Sequence, residues 1–180
     1  MTLLSPKTQL SRPITDRVKE SLFSVLYKYD LQGARVADLF CGVGSLGLEA
    51  LSRGAEFVTF VEKDPKIAAV LNKNIEKAHF GKESKVIRAN AFSIGAVVEP
   101  GTEEYDFVFV DPPYAATTNV QDDSPLAGLM GLLCEQVTAD GIVIVRTSLG
   151  VSPLEQYGQF KVVERRTWGT MAITILENSK

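Results

Sequence analysis

The chain has 180 residues, 45% hydrophobic and 23% charged, a composition that suits one globular domain with a sizeable core. A formal charge of −3, from 19 Lys and Arg against 22 Asp and Glu, argues against non-specific binding to a long polyanion, which needs a strong positive field. No apolar run approaches the roughly 20 residues of a membrane span, and the opening MTLLSPKTQLSRP lacks the apolar core of a secretory signal, so a cytoplasmic protein without a membrane partner is expected.

Along the chain, Val18, Leu22, Val25, Leu26 and Tyr29 recur at helical spacing from Thr15 to Tyr29, with Thr15 or Asp16 as the cap. RVADLF (35–40) reads as a strand, followed by a glycine loop, a helix over 45–53 and a second strand, FVTFVE (57–62). A helix from Pro65 to about Ala78 follows, with Ile67, Val70, Leu71, Ile75 and Ala78 on one face. His79 closes it in a surface or capping role. KVIRAN (85–90) is a third strand and 92–98 a brief helix. FVFV (107–110) is unbroken apolar sequence, as in a strand covered on both faces. Leu126, Leu129, Met130, Leu133 and Val137 give another helix, and IVIV (142–145) a fifth strand. FKVVE (160–164) and MAITIL (171–176) should pair as a hairpin. The alternation predicts an α/β fold: a doubly wound, seven-stranded, mainly parallel sheet with an antiparallel C-terminal hairpin. A short arm (1–12) precedes a single domain (13–180). The two cysteines, Cys41 and Cys134, read as reduced packing residues, and a single histidine argues against a His-based metal site or a Ser-His-Asp triad.

Gly42, Gly44 and Gly47 fit G-x-G-x-x-G between a strand and a helix, and Glu62 ends the next strand 20 residues after Gly42. A nicotinamide dehydrogenase shares those features. Asp38 disfavours it, because a carboxylate four residues before Gly42 would repel a pyrophosphate in that turn. S-Adenosyl-L-methionine has no phosphate and carries a sulfonium and an ammonium, which a carboxylate attracts. Glu62 would then accept both ribose hydroxyls, and Asn90, beside Ala91, would meet the adenine amino group. The plainer alternatives are a loop-capping acid at 38, a surface acid at 62 and a turn residue at 90.

Asp111-Pro112-Pro113-Tyr114 ends the fourth strand, where open α/β sheets place their ligands. The alternative is a simple turn with Tyr114 on its rim. As a site, the Asp111 carboxylate and the Pro112 carbonyl would accept the two N–H protons of a planar exocyclic amine and aim its lone pair at a methyl donor. The prolines fix the carbonyl outward, and Tyr114 offers a stacking face worth on the order of 1–3 kcal/mol. An acid at 111 favours guanine, which presents N1–H and N2–H side by side. Adenine pairs a donor with an acceptor, which suits an amide better. Adenine N6 of DNA or RNA, a protein amide, and a non-catalytic cofactor-binding module stay open as alternatives.

RPITDRVKESLFSVL (12–26), VADLFCGVGSLGLEALSRGA (36–55), VEKD (61–64), FVDPPY (109–114) and RRTWGTMAITILE (165–177) together resemble the RsmD-type guanine-N2 methyltransferases of small-subunit ribosomal RNA. The resemblance implies a class I methyltransferase fold, S-adenosyl-L-methionine as cofactor and no metal. It implies cofactor positions at Thr15, Asp16, Arg17, Asp38, Phe40, Cys41, Gly42, Gly44, Glu62, Lys63, Asn90 and Ala91, with Arg12 nearby. The catalytic loop would be Asp111, Pro112, Pro113 and Tyr114. The implied partner is ribosomal RNA or a small ribosomal subunit assembly intermediate, met by a monomer. Family members usually carry a longer basic N-terminal arm, whereas only Lys7 and Arg12 are basic ahead of Pro13 here. Arg53, Arg146, Arg165, Arg166 and Trp168 are expected either to form a local RNA patch or to be ordinary surface and core positions.

Overall fold

A computed structural model describes residues 3–5 and 14–180. Its elements run α1 (Asp16–Leu26), β1 (Arg35–Leu39), α2 (Ser45–Ser52), β2 (Phe57–Val61), α3 (Pro65–Ala78), β3 (Ser84–Ile87), α4 (Ala91–Ile94) and β4 (Tyr105–Val110). A 3₁₀ turn (Tyr114–Thr117) precedes α5 (Pro125–Leu133), β5 (Val137–Ser148), β6 (Gln156–Tyr157), β7 (Phe160–Trp168) and β8 (Met171–Asn178). The strands form one sheet in the order β3-β2-β1-β4-β5-β8-β7-β6. β3 through β5 are parallel neighbours, and the β5–β8, β8–β7 and β7–β6 pairs are antiparallel.

The period-2 alternation of the strands divides the core in two. Val36, Phe60, Phe109 and Ile144 face α1, α2 and α3. Leu39, Val61, Val108, Val110 and Val145 face α4 and α5. The connecting helices change sides where the chain reverses between β1 and β4, and the crevice above that switch is where such sheets hold ligands.

The sheet has eight strands, correcting the expected seven. Gln156–Tyr157 adds a two-residue edge because the turn at Gly158 and Gln159 folds Tyr157 back onto Phe160, and the Tyr157 hydroxyl donates to the Val120 carbonyl at 2.5 Å. Val137 belongs to β5 rather than to the helix before it. It pairs with Tyr105, and the Asn178 amide caps its carbonyl at 3.2 Å. β3 stops at Ile87, so Arg88–Asn90 form a loop, and the helix expected over 92–98 is the single turn Ala91–Ile94. α1 ends at Leu26, three residues short of Tyr29, whose hydroxyl instead donates to Glu177 at 2.8 Å. His79 closes α3 in the left-handed conformation, φ 62°. Cys41 and Cys134 are free thiols.

Of the expected arm, Leu3–Ser5 are described. Leu4 exchanges two hydrogen bonds with the buried Asn74 side chain on α3, at 2.8 and 3.1 Å. Asn74 also donates to the Val43 carbonyl at 3.0 Å, tying the chain start to the glycine loop. Lys7, Arg12 and Pro13 lie outside the described residues. Among the described residues no helix is long and apolar enough to cross a membrane.

Candidate active site

The loop after β1 is built by three local devices. Phe40 turns the chain out of the strand with φ 59°, a conformation that costs a non-glycine residue roughly 1–2 kcal/mol. Gly44 then begins α2 at φ 87°, where a Cβ would lie 2.4 Å from Leu71 Cδ1. At Gly47 a Cβ would stand 2.3 Å from Phe60 Cε1 and 2.8 Å from Val58 Cγ1, so only glycine lets α2 lie this close to β2. The third glycine is therefore a packing residue, while Gly42 and Gly44 shape the loop.

Asp38 is buried in β1, and its Oδ2 accepts the Gly47 N–H at 2.8 Å. The capping alternative from sequence is thus observed, and it leaves the charge of the carboxyl to be explained. Burial, then the nearby negative charges of Asp111 and Glu62, push the Asp38 pKa up to about 8 against the bond from Gly47. Glu62, 9% exposed, reaches back from the end of β2, accepting the Gly42 N–H at 3.1 Å and the Asp64 N–H at 2.8 Å. Those two bonds fix its carboxylate at the mouth of the glycine loop.

Asp111 follows β4 directly, its N–H donating to Leu39 O at 3.3 Å. Its carboxylate pairs through Oδ1 with the Nε of Arg146 on β5. That partner follows from register: Val110 sits beside Val145, so the next residues, 111 and 146, are neighbours. Burial raises the Asp111 pKa, and Arg146 opposes the rise. The Arg146 guanidinium lies 5.8 Å from the centroid of the Tyr114 ring. Pro112 is buried, Pro113 exposed and Tyr114 half-buried at the crevice edge. Asp38, Asp111 and Arg146 share the strand parity of Val36, Phe109 and Ile144, so all three lie on the α1 side of the sheet.

The remaining expected residues are placed less centrally. Phe40 packs against Phe92, centroids 4.6 Å apart, which makes an aromatic wall beside the β1 and β3 ends. Asn90 is exposed and caps α4 through the Phe92 N–H at 3.1 Å, while Ala91 is buried. Cys41 is buried, and burial followed by Asp38 and Glu62 drives its thiol pKa well up, so the thiol stays neutral. Lys63 is exposed. Thr15, Asp16 and Arg17 are exposed as well, with Thr15 Oγ1 capping α1. Tyr29, just after α1, meets Phe107 edge-on and Phe23 packs at a tilt against Phe109, so toward its N-terminus α1 climbs past the strands' carboxyl ends. Residues 15–17 therefore lie at the end of α1 nearest the strands' carboxyl ends. Arg12 lies outside the described residues.

The expected basic cluster is dispersed. Arg53 pairs with Glu49 at 2.8 Å and covers Phe23. Arg165 is held by Ser152 and the Val151 carbonyl, both at 2.6 Å. Arg166 joins Glu164, which also binds Lys28 at 2.9 Å, in a groove of about 680 Å³ that Trp168 and Tyr27 help to line. Arg146 is buried and turned toward Asp111. It is the site residue whose role the sequence did not reveal, and the signal for it was the parallel register of IVIVR against FVFVD.

The crevice thus brings the Asp38 carboxyl close to Glu62 and to Asp111, which pairs with the Arg146 guanidinium, above glycine-shaped backbone and beside two aromatic surfaces. That arrangement suits a ligand that is cationic at one end and carries hydroxyls and a flat ring at the other. It repels phosphate.

Comparison with known proteins agrees. A family model described as "Conserved hypothetical protein 95" matches residues 1–177. "Ribosomal RNA small subunit methyltransferase D" of Haemophilus influenzae is 32% identical over 170 residues, 93% of this chain and 83% of its own length. The solved structure "Putative methyltransferase yhhF from Escherichia coli" superposes with a TM-score of 0.79 at 26% identity, covering 99% of this chain and 92% of that one. An RNA methyltransferase from Salinibacter ruber, solved with S-adenosyl-L-homocysteine, shares the fold at a TM-score of 0.67 and 15% identity, over 94% of this chain and 95% of its own. Matched along nearly its whole length, the chain belongs to the "Conserved hypothetical protein 95" family, the RsmD-type methyltransferases.

Proposed function

We propose that the protein transfers a methyl group from S-adenosyl-L-methionine to the exocyclic N2 of a guanine in small-subunit ribosomal RNA. The observation that carries this reading is the placement of Asp111 beside Asp38 and Glu62 at the reversal between β1 and β4. The donor set suits the cofactor: Asp38 and the glycine-loop backbone for its cationic amino-acid end, Glu62 for the ribose, and Phe40, Phe92, Asn90 and Ala91 for the adenine. Bound there, it supplies an electrophilic methyl carbon on a sulfonium, whose bonding pair returns to sulfur on transfer.

The residues of this chain prepare the acceptor. An aromatic amine is a weak nucleophile because its lone pair is delocalised into the ring. Asp111 and the Pro112 carbonyl accept its two N–H groups, which favours pyramidal nitrogen and frees the lone pair. Tyr114 holds the base flat. After the N–C bond forms, the surplus N–H proton passes to Asp111 or to water. Positioning and fixed charge supply most of the acceleration. A base within a duplex must be extruded first, so a loop or junction is the easier target.

The test is a methyl-transfer assay with labelled cofactor and small ribosomal subunits or their RNA, followed by mass analysis of nucleosides. Label in N2-methylguanosine, lost in Asp111→Ala, supports the reading. Label in N6-methyladenosine, or transfer unaffected by Asp111→Ala, overturns it.

A further inference from the structure

We propose that Arg146 is the positioning residue of this site: one guanidinium, delivered by β5, fixes the Asp111 carboxylate and the Tyr114 ring in a single relative orientation. Three observations converge on it. First, the Val110–Val145 register places residues 111 and 146 side by side at the carboxyl ends of adjacent parallel strands. Second, the Arg146 side chain is 9% exposed and its Nε meets Asp111 Oδ1, whose own side chain is 16% exposed. A guanidinium this far from water is held by its partners, and a planar fork holds a carboxylate at a defined angle. Third, the same guanidinium lies 5.8 Å from the Tyr114 centroid, so one group supports both the acceptor and the stacking platform.

The consequence concerns protonation as well as orientation. Asp111 must be an acceptor only; a protonated carboxyl would present an O–H donor to the amine's own N–H groups. The groups around Asp111 are Asp38 on β1, itself close to Glu62 after β2, Arg146 on β5 and the Tyr114 ring in the following turn. Burial favours a protonated Asp111. The neutral Cys41 thiol contributes no charge, and Asp16 and Arg17, at the α1 N-terminus, are exposed to solvent. Arg146 is the cation in this set, and its charge and hydrogen bond oppose the protonation that burial favours. The Arg146 Nε–Asp111 Oδ1 contact fixes the orientation of the carboxylate against β5.

The inference has one arm that depends on the proposed methyl transfer and one that does not. In the independent arm, ¹³C-carboxyl-labelled protein is titrated by NMR without cofactor or RNA, with Asp111 assigned from Asp111→Asn. In Arg146→Met the Asp111 carboxyl should titrate at clearly higher pH than in the wild type, and in Arg146→Lys close to the wild type. An Asp111 titration that is the same in wild type and Arg146→Met overturns the proposal whatever the protein methylates. In the kinetic arm, Arg146→Met should lose on the order of tenfold or more in kcat near pH 6 and recover as pH rises through the new Asp111 titration. A loss equal at every pH would make Arg146 merely structural and overturn the positioning role. Should Arg146→Met fail to fold, Arg146→Lys carries the test. It keeps the charge but loses the planar support under Tyr114, so KM for RNA should rise several-fold while the pH profile stays put. An unchanged KM overturns the proposal.

Discussion

Replacing Asp38 by Asn should stabilise the free protein and cripple cofactor binding, and both effects follow from one buried carboxyl. Its pKa stands at about 8 in the fold against an ordinary 3.8. Between those values the native state keeps a proton that the unfolded chain has released. Stability contributed by this group is therefore complete below about pH 4, falls as pH rises, and is flat again above about pH 8. At pH 7 the gap of roughly 3 pH units, at about 1.4 kcal/mol each, amounts to about 4 kcal/mol of destabilisation. Local relaxation relieves part of it, so a measured gain of about 2–4 kcal/mol is expected in Asp38→Asn. The amide oxygen still accepts the Gly47 N–H, so the cap survives. For a chain of 180 residues the gain corresponds to a Tm higher by roughly 5–15 °C.

The same substitution removes the attraction for a cationic ligand. At about 4 Å and an effective dielectric near 20, that attraction is about 4 kcal/mol, from which deprotonating Asp38 at pH 7 takes about 1.4. Cofactor affinity should fall on the order of 30- to 100-fold. Thermal unfolding at pH 5 and pH 8, paired with calorimetry of S-adenosyl-L-methionine binding, checks both halves. A Tm advantage that does not grow between those pH values would refute the account of the carboxyl. Undiminished binding would refute its assignment to the cofactor.

In the wild type, cofactor binding near pH 7 should release close to one proton as Asp38 ionises, and almost none above pH 9. Calorimetry in buffers of different ionisation enthalpy reads this directly. Glu62→Gln leaves one oxygen to serve the Gly42 and Asp64 N–H groups together, so it should weaken cofactor binding tenfold or more and lower urea stability by about 1 kcal/mol. Gly47→Ala forces a methyl against Phe60 and Val58 and should cost about 1–3 kcal/mol in denaturant unfolding; an unchanged midpoint would mean that α2 is free to lift.

The order of strands and helices was legible because each element carried its own period. Val36, Ala37 and Leu39 beside Phe107 to Val110 mark strands covered on both faces, and Pro65 with Asp64 marks a helix start at a single residue. What stayed hidden was set by partners distant in sequence. Val137 continues the helical spacing of Leu133 and Met130, yet pairing with Tyr105 and the Asn178 amide take it into the sheet. Gln156 and Tyr157 have no strand periodicity of their own, and the edge exists because Phe160 offers backbone to pair with.

The site divides along the same line. Asp38, Gly42, Glu62 and Asp111 are readable because each lies at a strand end, or in the loop that leaves one, within a few residues of its punctuation. Arg146 has the opposite character. In sequence it is one arginine near a strand end, no different from Arg165 or Arg166, and counting charge assigns all three to a surface patch. Register decides between them: a shift of one residue between β4 and β5 would turn Arg146 to the α5 side and leave Asp111 beside Thr147 or Val145. The parallel pairing that sets this register depends on α5 packing Leu126, Leu129, Met130 and Leu133 over Val108, Val110, Val143 and Val145. The apolar face of α5 therefore fixes which cation meets the Asp111 carboxylate. Core substitutions in α5 that shift β5 should accordingly raise the pH at which Asp111 titrates before they unfold the protein.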